Sequence, residues 1–239
     1  MLIIPRRFQA AATDPNYASV CLLLPCTGAN NSTVITDYSP TVKTATAYNS
    51  ARIITGVANP WGNTSAGVLY LPTVTAVGID ANLSAVSVAH SSQFNFGSGD
   101  FTIELWYYAL SQPDYSGIIG RDGTDYPWMM YHGSAIASGN PMFAAGTTSA
   151  WNVPAMLFNA LPAGWSHLAI TRASGVFRAF KNGALITTDS SWNGAIGDVT
   201  SPLWIGRNGS SPNIRTLSAY YSNIRITNLA RYTSRSEEH

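Results

Sequence analysis

The sequence predicts an all-β protein, an antiparallel β-sandwich built as a single domain. Three observations carry this prediction. Residues 165–185 show the pattern of strands joined by tight turns, and residues 101–108 alternate strictly between two kinds of side chain. No stretch has a convincing helical period, and 46% hydrophobic residues in 239 are enough for a sizeable core.

The segment 165–185 contains the strongest turn signal in the chain. Leu168 and Ile170 alternate with polar or small residues, as in a half-buried strand, and residues 173–175 interrupt the pattern. The Asn182-Gly183 pair follows the next extended run. Both residues tolerate positive φ, so the pair predicts a hairpin turn leading into a third strand.

Residues 101–108 predict a strand with one face toward the core. The apolar face consists of alternating residues: Phe101, Ile103, Leu105 and Tyr107. The opposite face should point outward: Thr102, Glu104, Trp106 and Tyr108. Because side chains alternate along a strand, the first set is expected between the two sheets.

The remaining strands are short and bounded by Gly, Pro, Asn or Ser. The run 20–24 is continuously apolar, which is typical of a strand buried on both faces. Further strands are expected at these positions: 42–47, 51–54, 67–71, 85–88, 203–205 and 223–227. The region 111–163, punctuated by five prolines, is predicted to be rich in loops with aromatic residues at their tips.

The chain divides into three parts on this reading. Residues 1–13 are predicted to be an N-terminal docking arm, for which a frayed terminus is an equal alternative. Residues 14–232 form the sandwich, and residues 233–239 read as a solvated tail. The arm's candidate assembly residues are Leu2, Ile3, Ile4, Arg6, Arg7 and Phe8.

The composition narrows the classes of partner. Charged residues make up 10% of the chain, against about 25% in ordinary domains, and the net charge is +1. A surface so poor in charge favours coverage by other subunits, including copies of the same chain, or a neutral ligand such as a glycan. With no basic block, nucleic acid is not an expected partner, and no apolar run is long enough for membrane insertion. The order of the first eight residues is wrong for a signal peptide.

No cofactor or metal ion is expected. Cys21 and Cys26 lie five residues apart, which sends them to opposite faces of an extended strand, so two buried free thiols are predicted. The four histidines lack metal-ligand spacing. Asp122 and Asp125 suggest a calcium loop without completing its pattern, so calcium stays unsupported.

Catalysis is not expected either. Retaining glycosidases need two carboxylates about 5 Å apart. Glu104 lies on the outward face, but the next two residues on that face are Trp106 and Tyr108. Glu104 is therefore interpreted as a hydrogen-bonded structural carboxylate.

Sugar binding relies on aromatic faces and planar polar groups. The candidates for such a role are Trp106, Tyr108, Tyr126, Trp128, Trp151, Trp192, Arg121 and Asn208. For each tryptophan taken singly, a place in the core or in a subunit interface is the competing explanation.

Four segments in order carry a resemblance to a known family: DPNYASVCLLLPCTGANNSTVITDYSP, FNFGSGDFTIELWYYA, GWSHLAITRASGVFRAFKNG and SNIRITNLARYT. Together they resemble the concanavalin A-like, laminin-G-type jelly-roll domains of tailed-bacteriophage virions, over about residues 14–233. The resemblance implies a sandwich whose concave face binds glycans in relatives. Pro25, Cys26 and Thr27 stand where relatives often carry a histidine and then an acidic residue.

The resemblance implies a non-enzymatic virion structural protein, made in the cytoplasm of a bacterial host and built into a capsid as a decoration or into a tail. Its partners would be other virion proteins. The alternative is a receptor-binding adhesin of the same virion that binds host surface polysaccharide through loops near residues 111–160. A glycoside hydrolase is a distant third.

Overall fold

The computed structural model describes residues 14–72, 84–121, 127–133, 139–147, 150–153, 155–207 and 217–235. These residues form two short 3-10 turns, Tyr17–Ser19 and Ser92–Phe94, and otherwise strands and loops. The strands, in chain order, are β1 (Val20–Leu24), β2 (Val34–Ile35), β3 (Ala45–Tyr48), β4 (Arg52–Ile54), β5 (Val68–Leu71), β6 (Ala85–Val88), β7 (Phe101–Ser111), β8 (Gly117–Arg121), β9 (Trp128–His132), β10 (Pro141–Thr147), β11 (Ala150–Trp151), β12 (Met156–Leu157), β13 (Ser166–Ala173), β14 (Val176–Lys181), β15 (Ala184–Asp189), β16 (Leu203–Ile205) and β17 (Ser218–Thr227).

The strands form two antiparallel sheets, so the all-β sandwich prediction is confirmed. Sheet A runs β15-β14-β13-β7-β17-β5-β4, with β1 also paired to β17. Sheet B runs β11-β10-β9-β8-β16-β6-β3-β2, with β12 paired to β10. Because β1 pairs with the last described strand, the two ends of the chain close one domain, as predicted.

The central strand β7 behaves as its alternation predicts. Phe101, Ile103, Leu105 and Tyr107 are fully buried in the core between the sheets. Its neighbours in sheet A are β13 on one side and β17 on the other. The outward residues of β7 therefore lie in the middle of the outer face of sheet A.

The hairpins of residues 165–185 form as predicted. Asn182 has φ 48° and Gly183 has φ 77°, the positive values that a two-residue turn between twisted strands requires. Ser174 and Gly175 adopt the same conformation, with φ 49° and 80°, between β13 and β14. The interruption after Ala173 is thus a second turn of the same kind.

The prediction of a loop-rich region at 111–163 is wrong. Five strands, β8 to β12, lie within it. In the longer strands alternation is hidden because both faces are enclosed: all five residues of β8 are buried, as are the first six of β10. β11 and β12 have two residues each, too few to show a period. Pro141 does not prevent pairing, since it is the first residue of its strand.

The two cysteines are free and buried, as predicted. Burial raises the pKa of both the Cys21 and the Cys26 thiol to about 12, which keeps both protonated at neutral pH. No helix in the described part of the chain is long and apolar enough to span a membrane.

One polar link is enclosed in the core. His132 Nδ1 lies 2.8 Å from the Gly139 carbonyl oxygen, so it must donate, and Nε2 accepts from the Tyr107 hydroxyl at 2.8 Å. Burial lowers the pKa of His132 to about 4, although the bond to Gly139 opposes the shift. The imidazole is therefore neutral at pH 7.

Candidate binding surface

The strand register of sheet A lines up tyrosines side by side on its outer face. Tyr220 of β17 is the direct partner of Tyr108 on β7 and of Tyr70 on β5. Tyr70 in turn pairs with Arg52 on β4. Trp165, immediately before β13, extends the row at the other end, with its ring 5.8 Å from that of Tyr108. The row crosses five neighbouring strands.

The rings of this row pack in edge-to-face and tilted contacts. The centroids of Tyr108 and Tyr220 are 5.6 Å apart at 85°, and those of Tyr220 and Tyr70 are 5.2 Å apart at 47°. Trp165, Tyr108, Tyr220 and Tyr70 are all half-buried. Edge-to-face contacts stabilise aromatic pairs and hold each ring in place, so the row is a fixed surface that remains partly open to solvent.

A second row of side chains lies beside the first. Trp106 is flanked by His167, with ring centroids 5.3 Å apart, and by Trp61, at 6.0 Å. Trp61 is 36% exposed. We refer to the tryptophans and tyrosines of both rows together as the aromatic face: Trp61, Tyr70, Trp106, Tyr108, Trp165 and Tyr220.

The loop that carries Trp61 is fixed by its own hydrogen bonds. Asn59 Oδ1 accepts from the backbone N–H groups of Trp61 and Asn63, each at 3.0 Å, and Asn59 is 4% exposed. The indole N–H of Trp165 donates to the Ala58 carbonyl at 2.8 Å. The loop is thereby anchored to the row it overhangs.

Farther along the same outer face, the side chains are charged and enclosed. Glu104 accepts from Arg225 Nε at 2.5 Å and from the Tyr232 hydroxyl at 2.5 Å. Arg231 Nε lies 3.5 Å from the same carboxylate, and His167 Nε2 lies 3.6 Å from it. We call this group, together with Asp14, the ion cluster.

The ion cluster keeps Glu104 ionised. Burial alone would raise the pKa of this carboxyl group, but the attraction of Arg225, His167 and Arg231 outweighs burial and holds the pKa well below its ordinary value. Burial tends to lower the pKa of Arg225, yet Glu104 raises it. Both groups are therefore charged at neutral pH.

The C-terminal segment closes over this charged half. Thr102 Oγ1 donates to the Leu229 carbonyl at 2.8 Å and accepts from the Arg231 N–H at 2.9 Å. The ring of Tyr232 packs on Phe180, 6.2 Å away, in a small cluster with Ala169. Glu104 is 3% exposed as a result, which agrees with its interpretation as a hydrogen-bonded structural carboxylate.

The model of a protein family matches residues 80–234, well over half of the chain: the concanavalin A-like lectin/glucanases superfamily. The chain belongs to the concanavalin A-like lectin/glucanase superfamily. This confirms the lectin-like part of the resemblance. No curated protein matches the chain in sequence.

Solved structures resemble this lectin-like domain in fold. The binding domain of Paraclostridial Mosquitocidal Protein 1 has a TM-score of 0.66 at 16% identity, over 90% of this chain and 50% of that one. The binding domain of botulinum neurotoxin serotype D has a TM-score of 0.65 at 12% identity, over 91% and 50%. A third structure has a TM-score of 0.65 at 14% identity, over 91% of this chain and 49% of that one. It is described by the statement that cell entry of botulinum neurotoxin type C is dependent upon interaction with two ganglioside molecules.

The lectin-like domain spans about half the length of these toxin domains. At such low identity the likeness shows the fold alone. The neighbours are receptor-binding rather than catalytic domains. The expectation of a phage origin stays a prediction.

The structure places two of the candidate sugar-binding residues, Trp106 and Tyr108, on the aromatic face. Trp151 is 37% exposed but lies on the short strand β11 of sheet B. Tyr126 and Asn208 lie outside the described residues, as do the arm residues Leu2, Ile3, Ile4, Arg6, Arg7 and Phe8.

Three other sugar-binding candidates are buried or packed against the core instead. Trp128 is fully buried and stacks on Phe96 at 5.5 Å, so it cannot reach a glycan. Arg121 is also fully buried, where its guanidinium donates to Asn95 Oδ1 and to the carbonyl groups of Val199 and Ser201. Trp192 packs against the core, stacked 6.3 Å from Phe177.

Sequence reasoning missed most of the aromatic face: Trp61, Tyr70, Trp165 and Tyr220. Alternation held part of the signal, since Tyr70 and Tyr220 stand between core residues of their strands. What brings them together is the pairing of β5, β17 and β7, which no single strand's sequence reveals. Within the described residues, no group of three or more His, Cys, Asp or Glu side chains is arranged to hold a metal ion.

Proposed function

We propose that this lectin-like domain is a non-enzymatic binding module whose aromatic face binds saccharides. The observation that carries the proposal is the row of Trp165, Tyr108, Tyr220 and Tyr70, which is half-open and held in place by contacts between its own rings. Pyranose rings present apolar C–H faces that pack on aromatic rings, while tyrosine hydroxyl groups remain available for hydrogen bonds.

The dimensions of the row suit a short linear oligosaccharide. From β13 to β5 the row crosses three strand spacings, about 14 Å at ~4.8 Å each. A chain of about three sugar units has a similar length. The low charge of the domain also suits a ligand bound mainly by stacking.

The comparisons support binding over catalysis. The similar toxin structures are binding domains, and one is associated with ganglioside molecules. Since this chain matches only half of each, a ganglioside ligand is not carried over to it. Glu104, the one carboxylate of β7, is fully engaged in the ion cluster and closed off by Tyr232, which leaves it unsuited to act as an acid or a nucleophile.

The test is a glycan array probed with the labelled domain, followed by calorimetry on the best ligand. Tyr220→Ala removes the centre of the row and should weaken binding at least about tenfold, as loss of a central contact does. Trp151→Ala removes an exposed tryptophan of sheet B and serves as the matched control, with unchanged affinity expected. A loss of binding in Trp151→Ala but not in Tyr220→Ala would refute the assignment and return the site to the 111–160 region.

A virion structural role is the second candidate, and one observation favours it. Asp14, the first described residue, is held by Arg225 and Arg231, each at 3.2 Å. A docking arm at residues 1–13 would therefore start from a fixed base on sheet A. The location in a virion, the capsid or tail partners and a homo-oligomeric state all belong to this proposal.

Deleting residues 1–12 tests the second candidate. The sandwich should stay folded, because Asp14 and its ion pairs are retained, while co-sedimentation with empty phage heads or tails should be lost. Full-length protein that sediments with neither particle would count against a virion role. An unfolded truncation would contradict the division into arm and sandwich.

A further inference from the structure

Resting on the proposed function, we infer that Arg52 makes the aromatic face selective for acidic saccharides, with a sugar carboxylate bound at the β4 end of the tyrosine row. The inference depends on the contacts of Arg52, on the lack of a counter-charge beside it, and on its place in the row.

The guanidinium group of Arg52 is held in one orientation, but only one of its nitrogen atoms donates a hydrogen bond within the described part of the chain. It lies over the ring of Tyr70, 5.2 Å from the centroid, and its Nη1 donates to the Ser50 carbonyl at 2.8 Å. Nε and Nη2 make no hydrogen bond within the described part of the chain, and neither is among its enclosed polar atoms. Two N–H donors on one edge of a planar group therefore face the solvent side of the row.

The neighbouring arginines of sheet A use their donors inside the protein. Arg225 and Arg231 contact the carboxylates of Glu104 and Asp14. Arg172 donates to the backbone carbonyls of Gly97, Asn193 and Gly194. By contrast, no carboxylate of the described residues lies within ion-pair distance of Arg52. Arg52 is a half-buried cation at the end of a binding row without an internal counter-charge.

The free edge of Arg52 matches a carboxylate. Two parallel N–H groups of a guanidinium donate to both oxygens of a carboxylate at once, and stacking on an aromatic ring fixes the plane in which they do so. A charge-assisted pair of this kind is stronger than a neutral hydrogen bond.

The position of Arg52 sets the geometry of the ligand. β4 is one strand away from Tyr70 and two from Tyr220, or about 5 and 10 Å at the usual strand spacing. A carboxylate at Arg52 would therefore leave its own sugar ring beside Tyr70 and the next unit near Tyr220. The ligand class is a short saccharide that carries a carboxylate on a pyranose ring at or near one end.

The experiment uses two pairs of probes that differ in the acid group. Trigalacturonic acid and 3′-sialyllactose are each compared with their own carboxyl methyl ester; the two pairs distinguish a uronic acid from a sialic acid as the source of the carboxylate. Calorimetry at low salt should show at least tenfold tighter binding of one acid than of its neutral partner. The preference should decrease in high salt, because ion pairs at an exposed site are screened.

Arg52→Gln should abolish that preference and leave the affinity for the neutral probe unchanged within about twofold. Arg178→Gln is the matched control, because Arg178 also lies in sheet A and also donates to a carbonyl two residues before it, that of Val176, but is remote from the tyrosine row. Arg178→Gln should keep the preference. Unchanged thermal unfolding of both variants excludes a folding defect.

The inference is overturned if neither acid binds more tightly than its neutral partner, or if Arg52→Gln weakens acidic and neutral probes equally, which would make Arg52 a support for Tyr70 only. These outcomes are separate from failure of the proposed function. If neutral glycans bind the array in a manner that Tyr220→Ala abolishes, the binding face stands although the acidic selectivity does not.

Discussion

The outer face of sheet A has two halves, built on the same strands, that differ in their exposure to solvent. In one half, the chain's own C-terminal segment covers Glu104, and two arginines and a tyrosine satisfy the carboxylate. In the other half, the tyrosine row stays half-open, and Arg52 has no carboxylate beside it within the described residues. The charged groups of the first half are paired within the chain, whereas the second half leaves aromatic surface partly open to solvent.

The difference separates stability from recognition. Buried charges that are paired and enclosed are costly to disturb, because removal of one partner leaves the other uncompensated. Half-exposed aromatic rings contribute less to stability, and their remaining surface is available to a partner. Substitutions in the ion cluster should therefore change the free energy of unfolding, and substitutions in the aromatic face should change saccharide affinity.

The largest effect is expected for Glu104→Gln. Loss of the carboxylate leaves Arg225 and Arg231 with only the partly exposed Asp14 as a shared partner, which should cost about 3–5 kcal/mol of unfolding free energy. Urea denaturation measures this, and saccharide affinity of the folded fraction should not change. Asp14→Asn, whose side chain is 26% exposed, is the control and should cost much less. A loss of affinity with full stability would contradict the separation of the two halves.

The pH dependence of that cost follows from the depressed pKa of Glu104. The unfolded chain takes up this proton near pH 4.5, while the folded protein resists it, so the stabilisation is complete above pH 4.5 and is lost as pH falls below that value. The stability difference between the wild type and Glu104→Gln should then shrink by about 1.4 kcal/mol per pH unit. His132 titrates in both proteins, so its contribution cancels. A difference that stays constant from pH 7 to pH 3 would contradict the assignment.

A smaller effect is expected for Tyr232→Phe. The substitution removes the hydroxyl that donates to Glu104 at 2.5 Å and keeps the ring on Phe180. A hydrogen bond to a buried charge contributes about 1.5–3 kcal/mol, and unfolding curves should show a loss of that size. Tyr17→Phe is the control, because its hydroxyl bonds to a backbone carbonyl, that of Tyr38, at an exposed site. Equal losses of unfolding free energy in the two variants would contradict the larger stabilisation assigned to the hydrogen bond between Tyr232 and Glu104.

The smallest effect on stability is expected for Trp61→Ala. Trp61 is 36% exposed and its loop is held by Asn59, so unfolding should change by no more than about 1 kcal/mol. Saccharide affinity should fall about threefold to tenfold, as for loss of one aromatic contact. Calorimetry on the ligand found by the array measures it, with Trp151→Ala as the control. Unchanged affinity would confine the binding face to the tyrosine row.

Several features could be read directly from residue order. The two-residue turn at Asn182-Gly183 and the core face of β7 follow from local preferences that the sandwich does not override. The two buried free thiols could also be predicted from the sequence, because cysteines in or next to a short apolar run are buried whichever strands pair with that run. Strands β8 and β10 were missed because both of their faces are enclosed, which removes the alternation, and β11 and β12 because two residues are too few to show a period.

The sequence by itself determined the all-β class, the faces of β7 and a chain poor in charge and without a basic block. Only the tertiary structure decided which aromatic residues share a surface. Trp128 and Tyr108 were both candidates for sugar binding on sequence alone. In the structure Trp128 is enclosed between the sheets, and Tyr108 lies half-buried beside Tyr220. The physical reason is that neighbours in a sheet are set by strand order and register between segments more than a hundred residues apart, and these depend on the packing of the whole core.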